Sequence, residues 1–222
     1  MKKNKYNNSL YTKNNFIVLE GIEGSGKTEI IRYLKLILKN QGIKKIMSVR
    51  QPGGTPICEK LRSILKKDII NDQIHSKTEI LLFYASRMQL LESKILPALN
   101  KDTWVISDRH NLSTLAYQTA FNKNNKNLIK KLTKILLKNI EPDLTIYLDT
   151  IPILGLNRIN ERNKIDRIEK KGLSFFKEVR KNYLKEIKKI SKKIIINSSL
   201  EKKIVMKSLK KKIILWLQKY AK

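Results

Sequence analysis

A run of eight residues near the N-terminus combines three glycines with a lysine and a threonine at a spacing that suits phosphate chemistry. The pattern G-x-x-x-x-G-K-S/T, in which x is any residue, is matched by Gly21, Ile22, Glu23, Gly24, Ser25, Gly26, Lys27 and Thr28. Such glycines let successive backbone N–H groups point at phosphate oxygens, while the lysine supplies a positive charge and the hydroxyl a ligand for Mg²⁺. The pattern arises by accident in roughly one chain in a hundred of this length. It therefore predicts a site for the phosphates of ATP or GTP.

Two arginines are expected beside this loop. Arg50 ends one short apolar segment, and Arg109 follows another, directly after Asp108. Ligands in parallel α/β sheets bind beyond the carboxyl ends of the strands, so both side chains should face the phosphate loop. A guanidinium binds phosphate oxygens through paired hydrogen bonds. A single arginine is more often a solvated surface charge, but two at strand ends predict a second anion beside the first.

Short apolar segments alternate with helical patterns along the chain. Strands are predicted at 16–20, 45–50, 103–107, 144–149 and 193–197. Helices are predicted from the loop to about residue 40, at 56–66, 77–96, 113–121 and 127–139, and in a closing segment that spaces Val205, Leu209, Ile213, Trp216 and Tyr220 by three or four. This alternation predicts an α/β fold of the P-loop NTPase type, a three-layer sandwich whose five-stranded parallel sheet carries helices on both faces.

Length and composition indicate one domain with an unusual charge. The 222 residues are assigned to a disordered basic tail at 1–14 and a single domain at 15–222. Lys and Arg number 48 against 19 Asp and Glu, a formal net charge of +29. That excess is typical of nucleic-acid or anion binders, but the lysines are spread over the predicted helices. We favour a general lysine bias and expect no specific nucleic-acid partner.

Cysteine usage and hydropathy bear on location. Cys58 is the only cysteine, so no disulfide can form within the chain, which fits the reducing cytoplasm. No segment approaches the ~20 consecutive apolar residues that a membrane span needs. We therefore expect a cytoplasmic protein with no membrane partner.

Three further motifs stand at the predicted strand ends or on the helix between them. They are Arg50-Gln51-Pro52-Gly53-Gly54-Thr55, Phe83-Tyr84-Ala85-Ser86-Arg87, and the stretch 106–118 with Asp108-Arg109-His110 and Ser113-Thr114-Leu115-Ala116-Tyr117-Gln118. In type and order these motifs resemble those of bacterial thymidylate kinases, over nearly the whole chain from about residue 16. The resemblance implies a nucleoside-monophosphate-kinase domain that transfers the γ-phosphoryl group of ATP to dTMP to make dTDP. It also implies Mg²⁺ as cofactor and a homodimer.

The resemblance further implies roles on the acceptor side. Arg50 would hold the acceptor monophosphate, Phe83 would stack on thymine, and Arg87 would hydrogen-bond the base edge. Tyr117 would lie against the deoxyribose and disfavour a 2′-hydroxyl. Gln118 would lie beside the base.

Four residues are expected to act in catalysis, namely Lys27, Arg109, Arg162 and Glu23. By resemblance Arg109 bridges the donor and acceptor phosphates, and Glu23 reaches toward the sugar 3′-hydroxyl. Asp108 would organise Mg²⁺, through water, together with the hydroxyl of Thr28. The whole loop at 21–28 would bind ATP.

Some of these aromatic residues have a plainer interpretation as core. Phe83 and Tyr84 lie on a helix whose apolar spacing continues through Leu90, so one of the two rings is expected to be buried. Tyr117 has the same alternative as a packing residue.

Three arginines stand in a charged segment after the fourth predicted strand, namely Arg158, Arg162 and Arg167. By resemblance this segment is a lid at about 157–170 that closes on ATP and brings an arginine to the transferring phosphate. Arg162 is preferred because it lies nearer the expected tip. Arg167, next to Asp166, is expected in an ion pair that shapes the lid. The alternative is an ordinary solvated helix.

The chain departs from the family pattern in three places. Gln51 stands where Glu is usual, Asn160 interrupts the lid arginines, and Thr119-Ala120-Phe121 replaces a glycine-rich stretch. Gln51 bears on the acceptor, because a deoxynucleoside kinase benefits from a carboxylate base for its sugar hydroxyl. A monophosphate, whose second pKa is about 6, is already largely dianionic. Gln51 together with Arg50 therefore favours a nucleotide acceptor.

Two alternative functions stay open. One is a deoxynucleoside kinase, which has a similar fold. The other is a nucleic-acid-binding P-loop ATPase, which the net charge of +29 suggests. The second alternative leaves Arg50, Phe83, Arg87 and Tyr117 without a role.

Overall fold

Strands and helices alternate along the protein as the sequence predicts. The computed structural model describes residues 15–68, 71–137, 140–161 and 165–220, so the tail predicted at 1–14 lies outside this part. The strands are β1 (Phe16–Glu20), β2 (Ile46–Arg50), β3 (Trp104–Asp108), β4 (Leu144–Asp149) and β5 (Lys193–Asn197). The helices are α1 (Lys27–Asn40), α2 (Pro56–Lys66), α3 (Ser76–Leu90), α4 (Leu96–Leu99), α5 (Asn111–Gln118), α6 (Asn125–Leu136), α7 (Pro152–Asn160), α8 (Gly172–Ile187) and α9 (Lys202–Tyr220).

The strands form one parallel sheet of five in the order β2-β3-β1-β4-β5, which confirms the predicted α/β class. The central strand, β1, is buried along its whole length, as expected for a strand with helices on both faces. β2 and β3 pair in a register that sets Arg50 opposite Asp108, and β1 and β3 pair Leu19 with Asp108. The carboxyl ends of these three strands therefore share one edge with the phosphate loop.

Alternate side chains of β1 enter two different cores. Ile17 and Leu19 pack against buried residues of α1 and α9. Phe16 and Val18 point the other way and pack against α3 and α6. Because side chains alternate across a strand, this division places helices on both faces and produces the three layers. Each fully buried aliphatic or phenyl side chain contributes about 1.5–3 kcal/mol to the free energy of unfolding.

The helix predicted at 77–96 is longer and less regular than its apolar pattern indicates. α3 continues through a π-helical stretch, Leu91–Ile95, into the short helix α4. Pro97 falls in the first turn of α4. Pro97 has no backbone N–H to donate to the preceding turn, and the π-helical stretch lies directly before α4. The helical segment continues to Leu99, past residue 96 where the predicted helix ends.

The helix predicted at 113–121 is shifted toward the N-terminus. α5 begins at Asn111 and ends at Gln118. The hydroxyl of Thr119 donates to the carbonyl oxygen of Leu115 at 2.6 Å. Side chains of this kind compete with the backbone for helix carbonyls, so the residues after Gln118 leave the helix.

Candidate nucleotide and acceptor site

The phosphate loop joins the end of β1 to the start of α1. Lys27 begins α1 and is buried. Its Nζ turns back over the loop and donates to the carbonyl oxygens of Gly21 at 3.1 Å and Ile22 at 2.8 Å. Gly26 precedes the helix in the left-handed region, with φ 87°, which residues with a Cβ rarely adopt. The ammonium and the helix N-terminus together make this loop a site for anions.

The loop lies against α7 at a contact between two glycines. A Cβ atom on Gly24 would lie only 2.1 Å from the carbonyl oxygen of Gly155, and one on Gly155 would lie 2.8 Å from that of Glu23. One turn further along α7, Nη1 of Arg158 donates to the carbonyl oxygens of Gly24 at 3.1 Å and Ser198 at 3.3 Å. Arg158 therefore lies within a helix and ties the loop to the segment after β5.

One cavity of about 440 Å³ brings the predicted residues together. Its lining includes the loop from Glu23 to Thr28, and Asp108. It also includes every residue expected to bind the acceptor, namely Arg50, Phe83, Arg87, Arg109, Tyr117 and Gln118. Gly21 and Ile22 are buried beneath the loop and offer their carbonyl oxygens to Lys27. Donor and acceptor residues thus face a common space.

Arg109 lies between the phosphate loop and the acceptor side. Its backbone is left-handed, with φ 72°. Nη1 donates to the carbonyl oxygen of Gly21 at 2.8 Å, and Nη2 donates to Oε1 of Glu23 at 2.8 Å. Burial lowers the pKa of Arg109, but the Glu23 carboxylate raises it, and the pKa stays well above its ordinary value. A permanent cation therefore stands at the junction of the two phosphate sites.

Arg87 is buried on α3 with only neutral hydrogen-bond acceptors. Nε donates to Oε1 of Gln51 at 2.9 Å, and Nη2 donates to the carbonyl oxygen of His110 at 3.0 Å and to Oγ1 of Thr114 at 2.8 Å. Nη1 is buried and has no hydrogen-bond partner in the described part of the chain. An unpaired buried donor is costly, so this N–H suits an acceptor atom on a ligand.

Gln51 accepts a hydrogen bond from Arg87 and is itself held in place by another buried residue, His110. Nε2 of Gln51 lies 3.3 Å from Nδ1 of His110. Burial and the nearby Arg87 lower the pKa of His110 to about 3. The ring is therefore neutral at physiological pH, and Nδ1 accepts from the amide. The amide of Gln51 is thus engaged with the arginine expected to contact the base.

Arg62 is a cavity residue that the sequence analysis does not identify. It lies on α2, and its Nη1 donates to the carbonyl oxygen of Pro52 at 2.8 Å. Burial and the neighbouring Arg50 lower the pKa of Arg62. Arg50 itself pairs with Glu59 of α2 at 2.7 Å. Glu59 and Arg62 are three residues apart on the helix that follows Arg50, so both lie on one face of it. This spacing was visible in the sequence and could have identified Arg62.

Asp108 offers an oxygen that suits a metal ion. Its Oδ1 is buried and has no hydrogen-bond partner among the described residues. Asp108 and Thr28 line the same cavity, and Mg²⁺ prefers carboxylate, hydroxyl and phosphate oxygens with several waters retained. The described ranges contain no group of three or more His, Cys, Asp or Glu residues that could hold a metal ion. The residues therefore fit a Mg²⁺ ion that arrives with phosphate.

The two neighbouring aromatic residues of α3 point to different places. Tyr84 is 1% exposed, belongs to the core, and donates its hydroxyl to Oδ1 of Asn111 at 2.7 Å. Phe83 is half-buried and lines the cavity. This confirms that one of the two rings is core. Tyr117 combines both interpretations, because its ring packs against Phe176 while its hydroxyl donates to Glu23.

The segment that precedes α8 is tied to α2 and α3. Arg167 pairs with Glu79 and also donates to the carbonyl oxygen of Leu65 at 2.9 Å. Asp166 pairs with Lys66. Arg167 is thus in an ion pair as expected, but its partner is Glu79 rather than its neighbour Asp166. The carboxylate of Asp166 faces α2, which leaves Arg167 to the buried acid of α3.

The buried ammonium of Lys27 should make stability depend on pH. Burial and Arg109 lower its pKa to about 8, against 10.5 for an exposed lysine. Between these values the unfolded chain binds more protons than the folded protein, so the free energy of unfolding should rise with pH. Thermal unfolding from pH 7.5 to 10 should show this rise, and Lys27→Met should reduce it. An identical pH dependence in the wild type and Lys27→Met would contradict the assignment.

A phosphate loop that faces arginines at the ends of neighbouring parallel strands defines a P-loop kinase. A comparison with protein families shows a match between residues 19–209 and the family described as thymidylate kinase. The chain therefore belongs to the thymidylate kinase family, which confirms the resemblance inferred from its motifs.

Individual relatives agree with this assignment over almost their full length. A thymidylate kinase of Buchnera aphidicola subsp. Schizaphis graminum (strain Sg) is 49% identical over 206 residues, which cover 93% of this chain and 97% of that protein. A thymidylate kinase of Wigglesworthia glossinidia brevipalpis is 40% identical over 230 residues, with 93% and 98% covered. One of Vibrio vulnificus (strain YJ016) is 39% identical over 203 residues, with 91% and 96% covered.

Proposed function

We propose that this protein transfers the γ-phosphoryl group of ATP to dTMP. The observation that carries the proposal is a single cavity in which the phosphate loop faces strand-end arginines and, beyond them, an aromatic ring beside a buried arginine with a free N–H. Arg50 and Arg109 suit an acceptor phosphate. Phe83 and Arg87 suit a flat base with an acceptor atom at its edge. Membership of the thymidylate kinase family supports the same reaction.

The residues act by positioning and by electrostatic stabilisation, since phosphoryl transfer needs little covalent help from a protein. An oxygen of the dTMP phosphate forms a bond to the γ-phosphorus as the bond to ADP breaks. Lys27 places positive charge beside the transferring group, and Arg109 places it between the two phosphates. No general base is required, because a phosphomonoester whose second pKa is about 6 is largely dianionic at neutral pH.

Mg²⁺ is the cofactor in this proposal. Thr28 and Asp108 would hold it, and the unpartnered Oδ1 of Asp108 supports that role. When bound, it supplies charge neutralisation to the β- and γ-phosphates. Glu23 faces the same cavity but is engaged with Arg109, so we assign it to positioning of the arginine and the sugar.

Turnover of ATP with different acceptors tests the proposal. Purified protein with MgATP should phosphorylate dTMP and leave thymidine unchanged. Faster turnover of thymidine would support the deoxynucleoside kinase instead. Stimulation by polynucleotide alone would support the nucleic-acid-binding ATPase.

Replacement of Phe83 by Ala should chiefly weaken dTMP binding. Stacking of a base on an aromatic ring contributes ~1–3 kcal/mol, which corresponds to a rise of roughly 5-fold to 150-fold in the Kd for dTMP. Isothermal titration of dTMP measures it, with Thr78→Ala, an exposed change on the same helix, as control. Equal dTMP affinity in Phe83→Ala and Thr78→Ala would remove Phe83 from the base site.

A homodimer is also part of the proposal. Ile57 and Ile64 lie on one side of α2 with exposed fractions of 54% and 41%, and Leu81 of the adjoining helix α3 is 53% exposed. Large apolar side chains exposed on two packed helices favour self-association through a symmetric interface. Sedimentation velocity at micromolar concentration should show the dimer, and a monomer there would contradict it.

The proposal includes no nucleic-acid or membrane partner. No helix in the described ranges has both the length and the apolar character to cross a membrane. The arginines that line the cavity share it with the phosphate loop, and the excess lysines are spread along the chain. The cytoplasmic location stays a prediction.

A further inference from the structure

A fully buried carboxylate at the end of β1 has no part in the reaction described above. Glu20 is 0% exposed and comes directly before the phosphate loop. Its Oε1 accepts from the backbone N–H groups of His110 at 2.8 Å and Ser113 at 3.3 Å. Its Oε2 accepts from the hydroxyls of Ser113 at 2.5 Å and Tyr183 at 3.1 Å. Burial raises the pKa of Glu20, and these donors together with Arg109 oppose the rise.

The same two hydroxyls face Arg109 on their other side. Nη1 of Arg109 lies 3.1 Å from Oγ of Ser113 and 3.1 Å from the hydroxyl oxygen of Tyr183, and its two N–H groups are shared among these hydroxyls and the carbonyl oxygen of Gly21. A hydroxyl has one proton to give and lone pairs with which to accept. An arginine N–H can only donate, so both hydroxyl oxygens accept from Arg109. The two hydroxyl oxygens lie 2.7 Å apart and share their own protons between each other and Oε2 of Glu20. Glu20 therefore anchors the pair of hydroxyls that the guanidinium contacts.

The backbone around Arg109 depends on the same support. Arg109 has a left-handed backbone, with φ 72°, which a residue with a long side chain seldom adopts. Glu20 binds the main-chain N–H of the next residue, His110, and that of Ser113 in the first turn of α5. The carboxylate thus secures both the chain on which Arg109 stands and the hydroxyls that orient its guanidinium.

We propose that Glu20 and Tyr183 are positioning residues for Arg109, acting on phosphoryl transfer without touching either substrate. The inference rests on the proposed function, since it assumes that Arg109 stands between the two phosphates. Tyr183 belongs to α8, the helix that follows the lid segment. Through its hydroxyl, the position of α8 is coupled to the position of the arginine.

Tyr183→Phe removes the contact and keeps the packing. The ring of Tyr183 stacks on Tyr147 with centroids 5.1 Å apart, an arrangement that phenylalanine preserves. Loss of a hydrogen bond that orients a charged group is expected to lower the rate of the reaction about tenfold. We expect kcat for dTMP to fall about tenfold, while the KM for ATP changes by less than about twofold.

Tyr84→Phe is the matched control. Tyr84 is as deeply buried as Tyr183, and its hydroxyl also bonds within the protein, to Asn111 and to the carbonyl oxygen of Ile129. Both variants should lose comparable thermal stability. Only Tyr183→Phe should lose kcat. A comparable loss of kcat in both would assign the effect to general loosening and overturn the proposal.

A double-mutant cycle with Arg109→Ala tests whether the effect passes through the arginine. If it does, Tyr183→Phe should have no further effect on kcat in the Arg109→Ala background. A second tenfold loss there would overturn the proposal. Glu20→Gln and Ser113→Ala carry the same expectation in the cycle, so the test stands if one variant does not fold.

The wild-type protein separates failure of this inference from failure of the proposed function. Turnover is first measured against a panel of nucleoside monophosphates with MgATP. Absence of turnover with dTMP would refute the proposed acceptor, and the cycle would then be read on whichever monophosphate is turned over. Normal kcat in Tyr183→Phe, Glu20→Gln and Ser113→Ala would refute the positioning role alone.

Discussion

Replacement of Lys27 by Ala should lower kcat by about a thousandfold or more while the protein remains folded. The ammonium is buried over the phosphate loop, where the proposed reaction would develop negative charge during transfer. Removal of one preorganised group of this kind costs about 10²–10³ in rate, and a full charge costs at least as much. Steady-state turnover of dTMP measures the loss. Thermal unfolding should show that the fold survives, since a charge that is costly to bury has been removed.

Lys39→Ala is the control for this experiment. Lys39 lies on the same helix and is exposed. In a chain with 48 Lys and Arg residues, loss of one solvated lysine should leave kcat unchanged. Near wild-type activity in a folded Lys27→Ala protein would show that the loop does not bind the donor phosphates.

Replacement of Arg162 by Ala should lower kcat far more than it weakens ATP binding. Arg162 lies outside the described residues, so its role stays a prediction from the resemblance. An arginine brought to the equatorial oxygens of a transferring phosphoryl group contributes about 10³–10⁵ in rate. The phosphate loop supplies Lys27 but no arginine. A contact formed only on lid closure would appear in kcat and leave the Kd for ATP nearly unchanged.

Arg158→Ala is the informative comparison for the lid. Arg158 holds the carbonyl oxygens of Gly24 and Ser198 at 3.1 Å and 3.3 Å, so its loss should loosen the donor loop and raise the KM for ATP more than it lowers kcat. A fluorescent ATP analogue and steady-state kinetics separate the two effects. If Arg158→Ala and Arg162→Ala both keep wild-type kcat, the lid does not supply the missing cation.

The parts of the site that depend on local pattern were predictable. The phosphate loop is contiguous, and its spacing alone specifies a turn with inward N–H groups. Arg50 and Arg109 could be placed together because each ends a short apolar run, and parallel strands share one edge for their carboxyl ends. The fold class followed from the alternation of strands and helices.

Contacts between distant segments were not predictable, because nothing in a single sequence states which charges meet. Arg167 was expected near Asp166 and is paired with Glu79, 88 residues away. The apolar period of one helix could not decide whether Phe83 or Tyr84 faced the core, since both positions satisfy it. In the sequence, Glu20 is only the polar residue at the end of a predicted strand. Its four hydrogen-bond donors come from segments more than 80 residues further along the chain.

The ion pairs of this protein also indicate which charged positions tolerate substitution. Only 19 of the 222 residues are acidic. Glu23, Glu59 and Glu79 each hold one arginine, at the loop, at β2 and at the segment before α8. Most lysines in the described ranges are exposed, so exchanging one for another polar residue changes little beyond the net charge. Loss of a buried acid such as Glu79 leaves its arginine partner without a counter-charge, which lowers the free energy of unfolding far more. In a chain dominated by positive charge, the few acidic side chains therefore determine where particular arginines are held.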